Sequence, residues 1–464
     1  MSYLQRLAQV FAQNVGNQLS EYTFVFPNRR AGMFFRRYLG KALSQPIFSP
    51  EIMTINECFK SLSDLRVADQ LTLLVRLYTL YQELRPNAEP IEQFLHWGKI
   101  MLADFSEVDN HLVKDIKALY AAVKDTHDID LHFQSLTDNQ RNAIKKFWGD
   151  FYASTDKNNN TLHQQFIRTW ELLYPLYQGL TDNLLKDQLA HEGMLHRQVL
   201  EHWEDIPDSA FRKQYVFVGF NALTESERAL LIKLRDRNCA DFYFDYEDSY
   251  LSDPENRASL FKDINQRTFT SRYAVPPQTD KVRPKITHIS VDSTVGEARE
   301  VYHILDQLYP ADTPTTTDFT RTAVVLPDEQ LLIPLLDCFP ESVKKINVTM
   351  GYPLRASELY MPIAYPDNYF SPMPTTGAEI VLLLRKHWKA MQTPANGEAY
   401  YQLTKALDHI EECMTKHLNV VFSAEAVIQL LRMLTMQSTI PYAGEPLNGL
   451  QVMGVLETRA LDFD

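Results

Sequence analysis

The sequence is poor in glycine and has no long apolar run. Its 464 residues include 15 glycines, about 3% of the chain where roughly 7% is usual. A loop that wraps a phosphate with backbone amides needs glycine at set positions. This shortage therefore reduces the number of nucleotide-binding protein classes to which the chain could belong. Apolar runs such as residues 380–384 are far shorter than a membrane span. Gln5 and Arg6 stand where a secretory signal would be apolar. We therefore expect a cytoplasmic protein without a membrane partner.

The sequence also has few closely spaced metal ligands, and its net charge is negative. The four cysteines lie at least 75 residues apart, so they form no CxxC pair, and we predict free thiols. His191 and His196 resemble an HExxH motif, but their spacing puts them about 140° apart around a helix, too far to share a metal. The formal net charge is −13. Nucleic acid could be held only by a local basic patch.

Hydrophobic periodicity predicts two α/β segments, each interrupted by a helical block. The first segment is predicted to contain a helix over 3–19, a strand over 22–26, a helix over 31–43, and strands at 214–219 and 241–245. Thr224 and Glu227 form a capping box for the helix between the last two strands. In the second segment we predict strands at 286–291, 322–326 and 450–455 and a helix over 295–308. The helical blocks are predicted at 67–205 and 377–437.

The residues that usually hold a nucleotide are missing. No GxxxxGK[ST] loop occurs, and residues 3–19 already form the helix that should follow such a loop. The strand over 214–219 leads into Gly219, Phe220 and Asn221, where an Asp-Glu pair would hold Mg²⁺. Neither Gly219 nor Phe220 has a side chain that can bind the metal.

A basic loop follows the first predicted strand. Asn28, Arg29 and Arg30 stand where this strand ends and a helix begins. Two arginines at such a point can engage phosphate oxygens bidentately. The alternative is that they cap a sheet edge and pair with local carboxylates.

Taken in order, these segments resemble the motifs of UvrD-like superfamily 1 helicases. They are more similar to the AddB/RecC-like group, in which the ATPase residues are lost, and in particular to the PD-(D/E)XK nuclease-bearing proteins of Bacteroides-type bacteria. Residues 24–31 resemble motif Ia, and residues 218–224 resemble motif II without its acids. In the segment similar to motif III, Asp248 replaces a phosphate-sensing glutamine. Residues 450–463 resemble motif V, where Arg459 keeps the basic residue and Asp462 the acidic one.

The resemblance implies an α/β fold with two RecA-like P-loop-NTPase-type cores, each carrying a mainly helical insertion. The implied first core comprises residues 1–66 and 206–272, with its helical insertion at 67–205 between them. A linker would follow at 273–284. The implied second core begins with residues 285–364, carries its helical insertion at 365–445, and resumes at 446–464.

The same resemblance implies a non-catalytic region that binds and guides DNA during double-strand break processing, with an AddA/RecB-like helicase-nuclease subunit as its partner. The implied DNA-binding residues are Asn28, Arg29, Arg30, Thr458 and Arg459. The implied degenerate nucleotide site consists of Gly219, Phe220, Asn221 and Asp248. No cofactor is expected in this chain.

The resemblance also predicts that the sequence belongs to a longer protein. An Mg²⁺-dependent PD-(D/E)XK exonuclease domain would then follow residue 464. Two alternatives remain open. One is an active ATP-dependent helicase with a divergent nucleotide site. The other is a helical scaffold that binds only protein, which the net negative charge favours.

Overall fold

A computed structural model of the protein describes residues 1–120, 160–246, 255, 259–277, 285–314, 317–442 and 448–463, and it describes the backbone alone for 160–169. Over these residues the chain is a mixed α/β protein. Helices flank two parallel sheets, and two pairs of very short strands complete the strand content of the described residues.

The described strands are mostly short and rich in β-branched and aromatic residues. In chain order they are β1 (Tyr22–Phe26), β2 (Glu51–Thr54), β3 (Arg66–Val67), β4 (Leu189–Ala190), β5 (Gln214–Val218), β6 (Ala240–Tyr243), β7 (Ala323–Leu326), β8 (Ile346–Val348), β9 (Tyr352–Pro353), β10 (Thr439–Ile440) and β11 (Leu450–Gly454).

Many of the described helices begin at a side-chain cap. Ser2, Thr54, Thr224 and Thr376 each close a capping box, which satisfies amides that the first turn leaves free. None of the described helices is both long and apolar enough to cross a membrane. The helices are α1 (Tyr3–Asn14), α2 (Arg29–Ala42), α3 (Ile55–Ser61), α4 (Gln70–Leu84), α5 (Ile91–Asn110), α6 (Ile116–Leu119), α7 (Asn160–Lys186), α8 (Glu192–Glu201), α9 (Glu225–Asp236), α10 (Lys262–Thr268), α11 (Thr294–Leu308), α12 (Leu332–Leu336), α13 (Met361–Ala364), α14 (Pro366–Tyr369), α15 (Gly377–Met391), α16 (Gly397–Lys416) and α17 (Ala424–Thr435).

The first sheet is parallel and has the strand order β2-β1-β5-β6. Nearly every residue of β1 and β5 is buried, because helices cover both faces of the sheet. Phe24 and Val216 belong to a cluster with residues of α1 and α2 on one face. Val25 and Phe217 belong to a cluster with the helical residues on the other face. This alternation fixes the register and brings the carboxyl ends of β1 and β5 side by side.

The second sheet is also parallel, with the order β7-β11-β8. Its central strand β11 is almost completely buried. Leu450 and Val452 pack in one cluster with residues of α11 and α12. Gln451 lies between them on the strand, so its side chain points to the opposite face. That side chain is fully buried.

The helices between β2 and β5 pack around a buried charged network. Asp109 is fully buried and accepts hydrogen bonds from Arg197 Nε (2.6 Å) and the Tyr177 hydroxyl (2.6 Å). His191 Nε2 lies 3.4 Å from the second oxygen of Asp109. Since a buried carboxylate is costly unless it is paired, these contacts stabilise the junction of α5, α7 and α8.

The helices α15–α17 form a second helical group that contacts the first. Trp388 is buried, and its Nε1 donates to the carbonyl oxygen of Leu359 (2.8 Å). On the contacting side, His409 Nε2 of α16 lies 3.3 Å from Oδ1 of Asp69, the N-cap of α4. One continuous apolar cluster includes residues of both groups.

Two sequence predictions need correction here. The helix predicted over 3–19 ends at Asn14, and a 3₁₀ turn follows from Gly16, whose φ is +55°. The strand predicted at 286–291 is wrong, because these residues form no strand. Ile286 and Ile289 are 72% and 48% exposed. Alternating side chains make a strand only where a neighbouring strand takes its hydrogen bonds, and this segment has no such partner among the described residues.

Two buried histidines predict how stability depends on pH. Burial lowers the pKa of His191 and of His196 from 6.5 to about 4. At pH values between these two pKa values, the histidines are protonated in the unfolded chain but not in the folded chain. Lowering the pH through this range therefore destabilises the fold. We expect a loss of ~2 kcal/mol per histidine between pH 7 and pH 5, measured by urea unfolding. His191→Asn, which keeps a capping side chain, should lose less stability over this window. The same pH dependence in the variant and the wild type would contradict this assignment.

Candidate functional site

The candidate site lies where the loops at the carboxyl end of the first sheet contact the second sheet and the segment that follows β11. Parallel sheets bind ligands at this edge, because the loops that leave the strands converge there. In the first sheet, β1 leads into residues 27–30 and β5 leads into residues 219–221. In the second sheet, β11 leads into residues 455–462, which we call the strap. Hydrogen bonds and packing contacts join the strap to both loops of the first sheet.

Asn28 joins the loop after β1 to the strap. Its Oδ1 accepts a hydrogen bond from the Ala31 amide (2.8 Å), which caps α2. Its Nδ2 donates to the carbonyl oxygen of Arg459 (3.3 Å). Because both ends of the amide are used, Asn28 fixes the strap relative to the start of α2.

Arg29 lies at the exposed edge of the site. Its side chain is 79% exposed, and its Nη2 forms an ion pair with Oε1 of Glu57 (2.5 Å). Glu57 also closes the capping box of α3 with Thr54. The hydrogen bond from the Thr54 amide, with that from Arg29, lowers the pKa of Glu57. The carboxylate therefore stays ionised beside the arginine.

Arg30 points instead toward the second sheet. Its Nη1 donates to Oε1 of Gln451 (3.1 Å), which also accepts from Nδ2 of Asn347 (2.8 Å). Burial lowers the pKa of Arg30, and the nearby charge of Glu457 opposes that shift. Arg30, at the start of α2, thus links the first α/β unit to the second sheet.

The loop after β5 has no carboxylate at the two positions where a nucleotide-binding fold carries its metal ligands. Gly219 has φ +75°, and a Cβ placed on it would lie 2.9 Å from the Cβ of Ala460 in the strap. Phe220 is buried in the apolar core. Asn221 accepts a hydrogen bond from the Tyr246 hydroxyl (3.0 Å). The loop therefore packs against the strap and the core.

The strap crosses from the second sheet onto the first helix. Ala460 and Leu461 pack against the cluster that covers α1 and α2. Oδ2 of Asp462 accepts a hydrogen bond from the amide of Tyr3 (2.8 Å), the first residue of α1. The N-terminus of a helix favours a negative charge and often binds phosphate. Here a carboxylate of the same chain makes that contact.

Thr458 and Arg459, the other two predicted DNA-binding residues, lie within the strap. The Thr458 hydroxyl donates to the carbonyl oxygen of Val455 (2.7 Å). Arg459 is exposed. Burial raises the pKa of the nearby Glu227, and the hydrogen bonds from Thr224 and the charge of Arg459 oppose that shift. The described structure therefore brings Asn28, Arg30, Gly219 and Arg459 into one region. Asp248 lies outside the described residues.

Sequence reasoning missed several partners of the predicted residues. Gln451 and Asn347 lie side by side because of the register of β11 against β8, and this lets both Asn347 and Arg30 bond the side chain of Gln451. Tyr3 and Asp462 are separated by 459 positions in the chain, and no sequence pattern pairs them. The one available signal was the acidic residue of the motif V-like segment, at Asp462.

No cluster of three or more His, Cys, Asp or Glu side chains that could hold a metal ion is found among the described residues. Comparison with known protein families and with curated proteins gives no match for the chain.

The contact between Gly219 and Ala460 of the strap predicts that substitutions at these two positions have coupled effects on the free energy of unfolding. Gly219→Ala introduces both an unfavourable φ and a Cβ that meets Ala460, whereas Gly16→Ala introduces only the φ, since nothing lies within 4 Å there. We expect a loss of about 1 kcal/mol for Gly16→Ala and about 2–4 kcal/mol for Gly219→Ala in thermal or urea unfolding.

A second substitution separates the effect of the unfavourable φ from the effect of the clash between the two Cβ atoms. Ala460→Gly removes the Cβ on the opposite side of the contact, so it should restore some of the loss in the Gly219→Ala background. Strictly additive effects of the two substitutions would show that the strap does not pack on Gly219.

Proposed function

We propose that this chain is a helicase-like region without motor activity that binds and guides a DNA strand in double-strand break processing, beside an AddA/RecB-like helicase subunit. The observation that carries the proposal is the convergence of three loops at one edge between two parallel sheets. These loops are residues 27–30, 219–221 and 455–462, the segments that resemble motifs Ia, II and V.

The sheet topology supports two RecA-like cores. Each sheet is parallel, and each has its central strands buried on both faces. In open α/β sheets the ligand lies in the crevice outside the carboxyl ends of the strands. The loop at the carboxyl end of β1 contacts the second sheet at Gln451 and the strap at Arg459, which is compatible with this proposal.

The composition of the junction supports the lack of motor activity. A phosphoryl-transfer site needs carboxylates that hold Mg²⁺ and backbone amides that hold phosphate. Gly219 and Phe220 offer no metal ligand, and the amide of Tyr3 is bonded to Asp462. These features disfavour the alternative of an active helicase with a divergent nucleotide site.

The exposed residues at the edge of the junction support DNA contact. Arg29 is paired with Glu57, but the pair is largely exposed to solvent. An exposed pair of this kind contributes only about 0–1 kcal/mol, so a DNA phosphate can replace the carboxylate at little cost. Arg459 lies exposed on the strap of the same junction. Arg30, held by Gln451, acts in this proposal by positioning the loop.

A scaffold that binds only protein is the second candidate. It is favoured by the net charge of −13 and by the carboxylate that neutralises Arg29. The two candidates differ in what happens when that carboxylate is removed.

Glu57→Gln tests the proposal through this ion pair. Glutamine keeps the capping box of α3 but releases Arg29 from its negative partner. We expect Glu57→Gln to bind a fluorescein-labelled single-stranded DNA several-fold more tightly than the wild type. The salt dependence, −d log K/d log [salt], should increase by up to about 1. Arg29→Ala should weaken binding and reduce this slope.

Glu379→Gln is the matched control. Glu379 closes a capping box with Thr376 at the start of α15, as Glu57 does with Thr54, and the substitution removes the same charge. It should leave DNA affinity close to the wild-type value. If Glu57→Gln and Glu379→Gln behave alike and Arg29→Ala binds as tightly as the wild type, the protein-only scaffold is the better account.

A further inference from the structure

We infer that the strap is a latch that holds the two sheets in one fixed arrangement, with the carboxylate of Asp462 fastened to the N-terminus of α1. This inference concerns the conformation of the chain and does not depend on whether DNA binds. Its basis is that the strap is anchored to the second sheet at one end and to α1 of the first α/β unit at the other.

The first anchor lies on the second sheet. The strap continues directly from β11, whose first four residues are fully buried. Glu457, near the start of the strap, accepts hydrogen bonds from the Gly454 amide (3.3 Å) and from the Thr349 hydroxyl. Burial raises the pKa of Glu457, while the charge of Arg30 lowers it. The start of the strap is therefore tied to the sheet from which it emerges.

The second anchor lies on the first helix. Asp462 accepts from the Tyr3 amide, which belongs to the first turn of α1. Ser2 and Gln5 close a capping box at the same turn, so Asp462 bonds an amide that the box does not use. Its charge also suits the positive end of the helix dipole. Asp462 itself is exposed, so water competes with this bond, and the contacts in the middle of the strap matter as well.

Between the anchors, the strap is held along its length. Asn28 bonds the carbonyl oxygen of Arg459, and Ala460 fits against Gly219. Ala460 has φ +63°, a left-handed conformation that a residue with a Cβ rarely adopts. Such a conformation persists when the surrounding contacts impose it. The strap is thus fitted to a surface made by three separate segments of the first α/β unit.

A latch of this kind has a conformational consequence. In a two-core motor, the crevice between the cores opens and closes as the nucleotide changes. In this chain the crevice is bridged by residues of the chain itself, and the bridge includes the hydrogen bond from Arg30 to the buried side chain of Gln451. The distance between the sheets is therefore set by the fold without a ligand.

Distance measurements between spin labels test the latch in the full chain. Gln13→Cys on α1 and Gln307→Cys on α11 place labels on exposed positions of the two α/β units. Cys239→Ser and Cys338→Ser remove the two partly exposed native thiols, while Cys58 and Cys413 are buried. We expect a single narrow distance distribution for the protein with an intact strap. Asp462→Ala should broaden this distribution and shift it to longer distances.

Two further variants make the result specific. Asp462→Asn keeps an oxygen that can accept from the Tyr3 amide, so it should broaden the distribution less than Asp462→Ala. Asp306→Ala removes the same charge from an exposed position on α11 and should leave the distribution narrow. Retention of the native circular dichroism spectrum shows that each variant is folded. The inference is overturned if the intact protein already gives a broad distribution, or if folded Asp462→Ala gives the same narrow distribution as the intact protein.

Discussion

The contact between the carboxyl end of the first sheet and the second sheet with its strap is the constraint on which the rest of the arrangement depends. Parallel strands that are buried on both faces present polar groups mainly at their ends, and here the loops at the carboxyl end of the first sheet contact the second sheet and the strap. The polar side chains of Asn28 and Arg30 in the first α/β unit find their partners in the strap and in Gln451 of β11. Because these partners belong to the chain, the junction is a structural contact as well as the candidate functional site.

Two adjacent arginines divide these roles between them. Neighbouring residues on a helix point about 100° apart, so Arg29 and Arg30 at the start of α2 face different surroundings. Arg30 is directed inward and bonds the buried Gln451 of the second sheet. Arg29 is directed to solvent and pairs with Glu57. A single short loop can therefore join the sheets and still offer a positive charge to a phosphate backbone, even though the chain as a whole is acidic.

Much of the fold could be predicted from local patterns, because these patterns act over short distances. The apolar run of β5 and the capping box at Thr224 were both found in the sequence, and the structure confirms them. The strand at 286–291 was wrong because alternation does not reveal whether a neighbouring strand exists. The bond between Tyr3 and Asp462 depends on how two distant segments pack. The motif order pointed to Asn28 and Gly219 as site residues, but only the structure showed that both contact the strap.

Thermal unfolding of the full chain with Mg²⁺-ATP tests the proposal that residues of the chain itself bridge the crevice between the sheets and that no nucleotide binds there. A nucleotide present at about 100 times its Kd stabilises the folded state by ~2.7 kcal/mol, which a thermal scan resolves. The account predicts that Tm stays unchanged as Mg²⁺-ATP is raised through the millimolar range. A Tm that rises steadily with the logarithm of the Mg²⁺-ATP concentration, and does not rise with Mg²⁺ alone, would contradict it.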